Sequence, residues 1–415
     1  MIESPSPPAI DAPAVIADLR ELEAITSGSE GAERLCWSGG WRAARELLVA
    51  KLAELGLEPD RDEAGNLWAR LEGADRGAKA LLVGSHLDSV PGGGWLDGAL
   101  GVMAGLGALR AWAGARSKPP RDLVLVDFAD EEGARFGRSL FGSSAVAGTL
   151  DPPELSELRD GEGELIDEVL SANGVELAHA PEAASRLEGA GAYLELHIEQ
   201  GPVLEAEGAS CAAVSGCAGV ERHLLRFRGQ AAHAGTTPMN ARRDAALAAA
   251  GCALEVERIA TRHGGVGTTG GLRLLPGIAT AVAGEAELTL DLRHPEAEPL
   301  ADMLSEALAA AADAADARRC VLGGAPLFRI DPIPFDEGLV ESAREACADV
   351  GGRALPLASG ALHDAAELAR RIPAAMIFCA SRGGISHARE EDSTEEDLSA
   401  AIDAFSRLVA SAIAA

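Results

Sequence analysis

Hydrophobic and polar positions along the chain follow two patterns in turn. Residues 41–55 place apolar side chains at helical spacing and stop at Gly56, which predicts a helix. The apolar runs 81–83 and 123–126 predict buried strands, and the segment 101–113 between them predicts a helix. This strand–helix–strand order is typical of a mostly parallel sheet flanked by helices, so we expect an α/β fold.

A different pattern occupies residues 216–329. Alternating strands are predicted at 223–227 and 286–292, and Ala-rich helices are predicted near 243–261 and 298–318. Together these elements predict an α+β unit with an antiparallel sheet.

After Phe335 the strand–helix order resumes, with a strand predicted at 374–379. The last helix is predicted to begin at Ser393, with Glu396 three residues later completing a capping box. The expected organisation has three parts, namely a first part of a catalytic domain at 1–215, an inserted α+β unit at 216–329, and the second part of the catalytic domain at 330–415.

Charge and composition exclude several classes of partner. The 415 residues carry a net charge of −29, from 36 basic and 65 acidic side chains, so we expect no binding to nucleic acid or anionic membranes. The chain contains no apolar run of about 18 residues, which argues against a membrane span. The Pro-rich residues 1–19 do not resemble a secretory signal, and the seven scattered cysteines lack a CxxC spacing. We therefore expect a cytoplasmic protein with reduced thiols.

The first candidate site residues lie in the stretch 84–98. His86 ends a predicted buried strand, Asp88 follows two residues later, and Asp97 lies in a Gly-rich loop that opens the next helix. Open α/β sheets bind ligands beyond such strand ends, and imidazole and carboxylate groups suit zinc. Asp88 is spaced to hold His86 through its second ring nitrogen. An ordinary loop, with Asp97 capping the helix and His86 satisfied in the core, is the alternative, but the combination favours a metal site.

Three consecutive carboxylates, Asp130, Glu131 and Glu132, follow the predicted strand at 123–126. They would repel one another unless a cation compensated their charge. One glutamate could bind a metal while its neighbour takes a proton from metal-bound water. A solvated acidic turn is the alternative, although the position after a core strand argues against it.

Two further stretches present histidines. Residues 193–199 alternate, so that Glu195 and His197 share a polar strand face. A sheet edge would account for the glutamates but accounts less well for His197. His387 stands at the end of a turn that begins with the Gly-Gly pair 383–384.

Six stretches occur in the order GSHLDSVPGGGWLDGALGV, DEEGARFG, ELHIEQGPVLE, AAHAGTTPMNARRDA, SGALHDA and GISH. As a set, between about Glu33 and Glu390, they resemble the di-metal amidohydrolases related to aminoacylase, in the branch of N-carbamoyl-L-amino acid hydrolases and allantoate amidohydrolases. The resemblance implies a zinc-exopeptidase-like catalytic domain and an inserted domain that mediates homodimerisation.

The resemblance also implies roles for single residues. The implied metal ligands are His86 and His197 for one ion, Glu132 and His387 for the other, and Asp97 as the bridge. Glu131 would be the general base. His197, at a position where related peptidases are expected to carry an acid, favours the carbamoylase branch. Two divalent ions per subunit are implied, and the ligand types suit zinc, manganese, cobalt or nickel.

Substrate contacts are implied at Gln200, Arg293 and Gly360, and Arg293 would pair with the substrate carboxylate. The resemblance further implies that His233 of the inserted domain reaches the active site of the partner subunit. His363, beside Asp364, could support the metal ligands from behind.

Two positions depart from the family pattern. Thr280 stands in a slot for which the family expects Asn, and Leu362 stands where the family usually has Gly. Thr offers one short hydroxyl in place of an amide, so we expect the substrate to be held differently at Thr280. Neither departure affects an implied metal ligand or the base. The two departures therefore bear on which substrate binds and not on the expected reaction.

The expected reaction is metal-dependent hydrolysis of a linear amide or ureido C–N bond. The preferred substrate is an N-carbamoyl-L-amino acid, converted to an L-amino acid, ammonia and carbon dioxide. A metal-bridging hydroxide would attack, with Glu131 taking the proton of the water and His233 stabilising the oxyanion. An allantoate-type ureido hydrolase and an N-acyl-amino acid or dipeptide hydrolase are alternatives. A catalytically silent binding protein is disfavoured because every implied ligand and the base are present.

Overall fold

The computed structural model describes residues 7–415, which divide into two units. The first unit contains residues 7–215, 335–357 and 363–415, and the second contains residues 216–334 and 358–362. Residues 1–6 lie outside the described residues, and with them lies part of the segment for which no secretory signal is expected.

A mixed sheet forms the centre of the first unit. Its four central strands, from Ala374–Cys379 to Leu123–Phe128, are parallel, and the strands beside them are antiparallel. In spatial order the strands are Cys211–Cys217, Ala374–Cys379, Ala190–Ile198, Ala80–His86, Leu123–Phe128, Leu67–Leu71 and Asp60–Arg61. This architecture confirms the predicted α/β fold. The carboxyl ends of the parallel strands meet at one edge, where sheets of this kind bind their ligands.

Helices cover the sheet of the first unit. Leu81 and Val83 pack with helix Ala99–Ala113 in the largest hydrophobic core, whereas Leu82 faces the other side of the sheet because strand residues alternate. The α-helices of this unit are Ala12–Thr26, Gly39–Glu54, Ala99–Ala113, Phe141–Ala147, Pro152–Leu155, Ile166–Ala172, Val203–Glu207, Glu337–Ala348, Asp364–Ala369 and Glu395–Ala414. Two 3-10 helices span Ala180–Leu187 and Arg382–Gly384. The sheet is therefore buried on both faces, as its continuous apolar strands require.

The last helix begins later than predicted. Thr394 is its N-cap, since the Thr394 hydroxyl accepts a hydrogen bond from the main-chain N–H of Asp397 at 3.0 Å. Ser393, the predicted cap, instead donates its hydroxyl proton to the buried carbonyl of Ala380 at 2.7 Å. The predicted capping box of Ser393 and Glu396 is therefore wrong by one residue. Thr394 follows Ser393 and Asp397 follows Glu396, and each of these two residues can make the same capping contact as the residue before it.

An antiparallel sheet with two helices forms the second unit. Its long strands are Val266–Leu275, Glu285–His294, Gly219–Arg228 and Val321–Ile330 in spatial order, and its helices are Ala245–His263 and Ala297–Ala317. Every second residue of Glu285–His294 is buried against the helices. The strand patterns predict only the two inner strands. The two outer strands are largely exposed and contain Gly pairs, so they carry little of the alternation that predicts a strand.

Within residues 7–415, no helix combines the length and the apolar composition that crossing a membrane demands. None of the seven cysteines forms a disulfide, and their side chains are buried. They serve as small apolar residues of the core, as expected for scattered cysteines.

Candidate metal centre

Loops at the carboxyl edge of the parallel sheet carry the candidate ligands of the first unit. His86 is the last residue of its strand, and His197 is the last but one of the neighbouring strand. Asp97 precedes the helix that follows the His86 strand, and Glu132 lies beyond the next strand along the sheet. His387 follows a 3-10 turn after the strand on the other side of His197. The topology thus brings together five residues that are distant in sequence.

The carboxylate of Asp97 lies at the centre of this group. Its Oδ1 atom is 3.1 Å from His197 Nε2 and 4.0 Å from His86 Nε2. Its Oδ2 atom is 3.3 Å from His387 Nε2, which in turn is 3.5 Å from Oε2 of Glu132. Since the two oxygens face different histidines, the carboxylate has the arrangement needed to bridge two cations.

Two sets of potential ligand atoms therefore share Asp97. His86, Asp97 and His197 form one set, and Asp97, Glu132 and His387 form the other, with all ligand atoms of a set within 4.8 Å of one another. All five residues implied as ligands by the resemblance are present in these two sets. Each set offers imidazole nitrogen and carboxylate oxygen, which is a donor combination suited to zinc or manganese.

Main-chain carbonyl groups orient the two buried imidazoles. His86 Nδ1 donates to the carbonyl oxygen of Asp88 at 3.0 Å, and His197 Nδ1 donates to that of Ile198 at 2.9 Å. The carboxylate of Asp88 was expected to hold His86, but its Oδ1 atom is 3.6 Å from Nδ1 and accepts instead from the main-chain N–H of Glu131. In both histidines the Nε2 atom is left facing the ligand cluster, as metal coordination requires.

A glycine makes room for the His86 ring. Gly98 has a φ of 65°, and a Cβ atom there would lie 2.3 Å from Cε1 of His86. Any other residue would therefore displace the imidazole, in addition to the strain of the left-handed backbone. The glycine at position 98, directly before helix Ala99–Ala113, is thus explained by its close approach to the His86 ring.

Burial and the charge of Asp97 shift the pKa values of the histidines in opposite directions. Burial lowers the pKa of His86 to about 4, so its imidazole is neutral. Burial also lowers the pKa of His197, but the hydrogen bond to Asp97 and its charge outweigh this effect and raise the pKa to about 9. The hydrogen bond to Asp97 raises the pKa of His387 to about 9 as well. At neutral pH, protons therefore occupy nitrogen positions that a cation would take.

The acidic turn is largely buried rather than solvated. Burial and the charge of Asp97 raise the pKa of Glu132 to about 8, and its Oε1 atom has no hydrogen-bond partner among the described residues. Burial, together with the charge of Asp364, raises the pKa of Glu131 well above its usual range. Glu131 Oε2 lies 3.7 Å from His86 Nε2. An orphaned buried carboxylate oxygen beside several like charges fits a site for a divalent cation.

Behind His197 lie two further polar side chains. The ring of His363 packs against that of His197, with centroids 4.4 Å apart, and is buried. Glu195, His197 and His363 form a third group of potential ligands. However, Glu195 already accepts hydrogen bonds from the hydroxyl of Ser85 at 2.6 Å and from the main-chain N–H of Ala365 at 2.9 Å. These partners stabilise the Glu195 carboxylate, so the burial of this group does not require a cation.

The residues expected to contact substrate fall in both units. Gln200, in the first unit, donates its amide proton to Asp97 Oδ2 at 2.9 Å and lies 3.3 Å from His387 Nε2. Arg293, in the second unit, is held by Asp291 at 2.8 Å and donates to the carbonyl of Gly360 at 2.6 Å. The guanidinium and the Gly360 backbone are therefore held together within one unit.

His233 lies on the short strand Ala232–His233 of the second unit, which pairs with the strand Ala281–Val282. Thr280 directly precedes the second strand, and its carbonyl accepts a hydrogen bond from the main-chain N–H of Ala234 at 2.9 Å. His233 is exposed, and its Nδ1 atom accepts hydrogen bonds from the main-chain N–H groups of Gly235 and Thr236 at 3.1 and 3.3 Å. Because Nδ1 is an acceptor, the ring proton of the neutral imidazole is on Nε2, which makes His233 a hydrogen-bond donor.

Three residues without an expected role also lie beside the Asp97 loop. Glu391 and Ser386 contact the Asp97 loop, and Arg34 is fully buried close to them. Glu391 follows His387 in an acidic run, but the sequence does not distinguish it from its exposed neighbour Glu390. Arg34 lies outside every candidate motif, so no sequence signal indicates its position.

A separate cavity of about 950 Å³ lies in the first unit. Trp37 and Trp41 form part of its wall together with Arg42, Arg45 and Arg61. None of the five candidate ligands lines this cavity. A large volume alone does not identify a reaction site, so the candidate metal centre lies elsewhere in the unit. The Trp side chains are nevertheless buried, in agreement with a packing role.

Comparison with known protein families identifies the family of this chain. The sequence pattern of peptidase family M20/M25/M40 matches residues 82–411, a range that includes all five candidate ligands. The chain belongs to peptidase family M20/M25/M40.

Relatives within the M20 family narrow the assignment. An N-carbamoyl-L-amino acid amidohydrolase of Geobacillus stearothermophilus is 40% identical over 384 residues, 92% of this chain and 93% of that protein. The allantoate amidohydrolase of Escherichia coli (strain K12) is 35% identical over 376 residues, 89% of this chain and 90% of that protein. A hydantoinase/carbamoylase family amidase from Burkholderia ambifaria, 34% identical, matches the structure with a TM-score of 0.88 over 97% of this chain and 96% of that chain. These similarities confirm the predicted amidohydrolase branch and the prediction of an enzyme.

Proposed function

We propose that the protein hydrolyses N-carbamoyl-L-amino acids to L-amino acids, ammonia and carbon dioxide. The observation that carries this proposal is the Asp97 carboxylate between two histidine sites, with Glu131 Oε2 3.7 Å from His86 Nε2. The 40% identity to an enzyme named for this reaction supports the choice of substrate class.

The proposal includes two divalent ions per subunit. His86 and His197 would hold one ion, Glu132 and His387 the other, and Asp97 would bridge them. The orphaned Oε1 atom of Glu132 and the protonated states of His197 and His387 support this fit, because cations would replace the protons. When bound, such ions polarise the carbonyl group and lower the pKa of water. The donor set suits zinc, manganese, cobalt or nickel.

Glu131 is the proposed general base. It takes a proton from the attacking water as the water oxygen bonds to the carbamoyl carbon, and it later delivers this proton to the leaving nitrogen as the C–N bond breaks. The carbamic acid released would decompose to ammonia and carbon dioxide. The position of Glu131 supports this role, because its Oε2 atom lies 3.7 Å from Nε2 of His86, beside one of the two proposed ion positions.

Residues of the second unit complete the proposed mechanism. Arg293 would pair with the substrate carboxylate, oriented by its contacts with Asp291 and Gly360. His233 would donate its Nε2 proton to the developing oxyanion in the active site of a partner subunit of a homodimer. The acceptor role of His233 Nδ1 supports this proposal. Gln200 and Thr280 would contact the remaining polar groups of the substrate.

An allantoate-type ureido hydrolase is the second candidate. The 35% identity to an allantoate amidohydrolase supports it. The cytoplasm remains the proposed location, in agreement with seven cysteines that form no disulfide.

Ammonia release tests the proposal. The protein is loaded with manganese or zinc and given N-carbamoyl-L-amino acids, allantoate and N-acetyl-amino acids, with chelator-treated protein as the control. Chelator-sensitive ammonia release that is fastest from a carbamoyl substrate is expected. Faster release from allantoate would favour the second candidate, and release of an amino acid from the acetyl substrate alone would reject both.

Mixing two inactive variants tests the shared site. If His233 acts in the partner's site, a mixed dimer of His233→Ala and Glu131→Gln contains one complete site. Random reassociation should then restore about a quarter of wild-type activity, since half of the dimers are mixed and each has one working site of two. The matched control combines Glu131→Gln with Asp97→Asn, which leaves no complete site. Equal activity in both mixtures would reject the exchange of His233.

A further inference from the structure

Glu391 connects two loops of the candidate metal centre. It is 2% exposed, and its Oε1 atom accepts hydrogen bonds from the main-chain N–H groups of Leu96 and Asp97 at 3.1 and 3.0 Å. Its Oε2 atom accepts a hydrogen bond from the hydroxyl of Ser386 at 2.8 Å. Ser386 directly precedes His387, so one buried carboxylate joins the loop of the bridging ligand to the loop of the most exposed ligand.

The packing around Glu391 leaves it little freedom. A Cβ atom on Gly94 would lie 2.1 Å from both Cδ and Oε1 of Glu391, so only glycine allows this approach. The fully buried Arg34 donates to the carbonyl groups of Leu87 at 2.8 Å and Gly94 at 3.4 Å, which fixes the start of the same loop. A guanidinium group this close also offsets the cost of burying a carboxylate.

The hydroxyl of Ser386 stands between two acceptors. It is 2.8 Å from Glu391 Oε2 and 3.1 Å from Asp97 Oδ2, but it has one proton and can donate to one of them at a time. Asp97 Oδ2, the oxygen that faces His387, already accepts a hydrogen bond from the Gln200 amide at 2.9 Å, which uses one of its two lone pairs. A Ser386 proton donated to Asp97 would occupy the second lone pair, whereas a proton donated to Glu391 leaves it available.

We propose that Glu391 is a positioning residue that fixes the main chain of Asp97 and draws the Ser386 proton away from it, so that both Asp97 oxygens can bind cations. This inference rests on the proposed function only in taking Asp97 as the bridging ligand. Glu391 itself belongs to none of the three groups of potential ligands among the described residues.

The variant Glu391→Gln tests the idea with little change of shape. The Gln oxygen can still accept from Leu96 and Asp97, whereas its amide nitrogen must donate to Ser386. Ser386 would then direct its own proton to Asp97 Oδ2 and compete with the cation there. We expect the dissociation constant for Mn²⁺ to rise about 10- to 100-fold, the range typical of residues that support metal ligands. The melting temperature of the metal-free protein should change little.

Two further variants separate positioning from general stability. Adding Ser386→Ala to Glu391→Gln removes the competing proton and should recover part of the lost affinity. Glu390→Gln is the matched control, because Glu390 is exposed and pairs only with Arg389 among the described residues. If Glu391→Gln does not fold, Glu391→Asp replaces it, since an aspartate is too short to reach both loops and should weaken binding as well.

Metal binding to the full-length protein is measured by calorimetry, and the visible spectrum of the Co²⁺-loaded protein reports the ligand geometry. Weaker binding and an altered Co²⁺ spectrum in Glu391→Gln, with recovery in the double variant, would support the proposal. Wild-type affinity in Glu391→Gln, or no recovery in the double variant, would overturn it. Absence of metal binding in the wild type would overturn it together with the proposed function. A wild type that binds metal without hydrolysing any substrate would reject only the function, since the affinities still decide the role of Glu391.

Discussion

The two sides of Asp97 differ in how firmly their ligands are held. On one side, the side chains of His86 and His197 are 2% and 1% exposed and lie on central strands. Each donates its Nδ1 proton to a main-chain carbonyl, which fixes the ring. On the other side, the His387 side chain is 50% exposed and lies in a loop with a left-handed backbone. The buried side is thus preorganised, while the open side depends on contacts between loops.

This difference suggests a division of labour between the two halves of the site. A rigid, buried pair of imidazoles can hold an ion before substrate arrives, because little ordering remains to be done. A half-exposed ligand allows substrate and products to reach the site. The carboxylate of Asp97, which is the proposed bridge, couples the halves because one oxygen faces each side.

Replacing the bridge should have the largest effect. Asp97→Asn removes the negative charge that both halves share, and its amide nitrogen cannot bind a cation. We expect loss of tight binding at both sites and a decrease in activity of at least about 1,000-fold. Metal content after gel filtration and the rate of ammonia release measure the two effects. Retention of both ions at wild-type affinity would show that Asp97 is not the bridge.

Replacing the base should separate chemistry from metal binding. Glu131→Gln keeps the size of the side chain but cannot accept the proton, so kcat should fall about 100- to 10,000-fold. The variant should still bind two ions, because Glu131 is not a proposed ligand. Glu132→Gln is the matched comparison, since it should lose an ion from the open side. If Glu131→Gln lost metal and Glu132→Gln kept it, the roles of the two glutamates would be exchanged.

The sequence reveals the ligand cluster because its members lie at strand ends and in ordered motifs. The apolar strand before His86, and that before the acidic turn 130–132, indicate one sheet edge, and the order of the motifs indicates the family. The helix–strand order likewise predicts the α/β fold. These signals lie in short stretches of the sequence, so they can be recognised without knowledge of the tertiary structure.

The remaining features depend on tertiary contacts that local patterns do not encode. Asp88 supports His86 with its main-chain carbonyl, a group that every residue possesses. Glu391 and Glu390 are adjacent glutamates, and only the fold buries one and exposes the other. The outer strands of the second unit are largely exposed and contain Gly pairs, so no alternating sequence pattern predicts them.

Chelation should remove the ion on the open side first. Because His387 is half-exposed whereas His86 and His197 are buried, a chelator reaches the open side more easily. We expect two phases of metal release, the first at least about tenfold faster than the second. Stopped-flow measurement with a coloured chelator resolves the phases. In His387→Ala only the slow phase should remain, whereas a single phase in the wild type would contradict the contrast between the sides.

Proton release on metal binding should be the smallest of these effects. It distinguishes the two sides of the site by the number of protons that each releases. In the metal-free protein the pKa values of His197 and His387 are raised to about 9 and that of Glu132 to about 8, so these groups hold protons at neutral pH. Cations displace the protons, and binding should therefore tighten as pH rises from about 7 and level off above about 9.

Calorimetry in two buffers with different ionisation enthalpies counts the protons. The open side, with His387 and Glu132, should release about two protons at pH 7, whereas the buried side should release about one, from His197, since His86 is already neutral. The variant His387→Ala, which retains the buried side, should give the smaller value alone. Equal release from both sides would mean that the fold does not prepare one side for its ion more completely than the other.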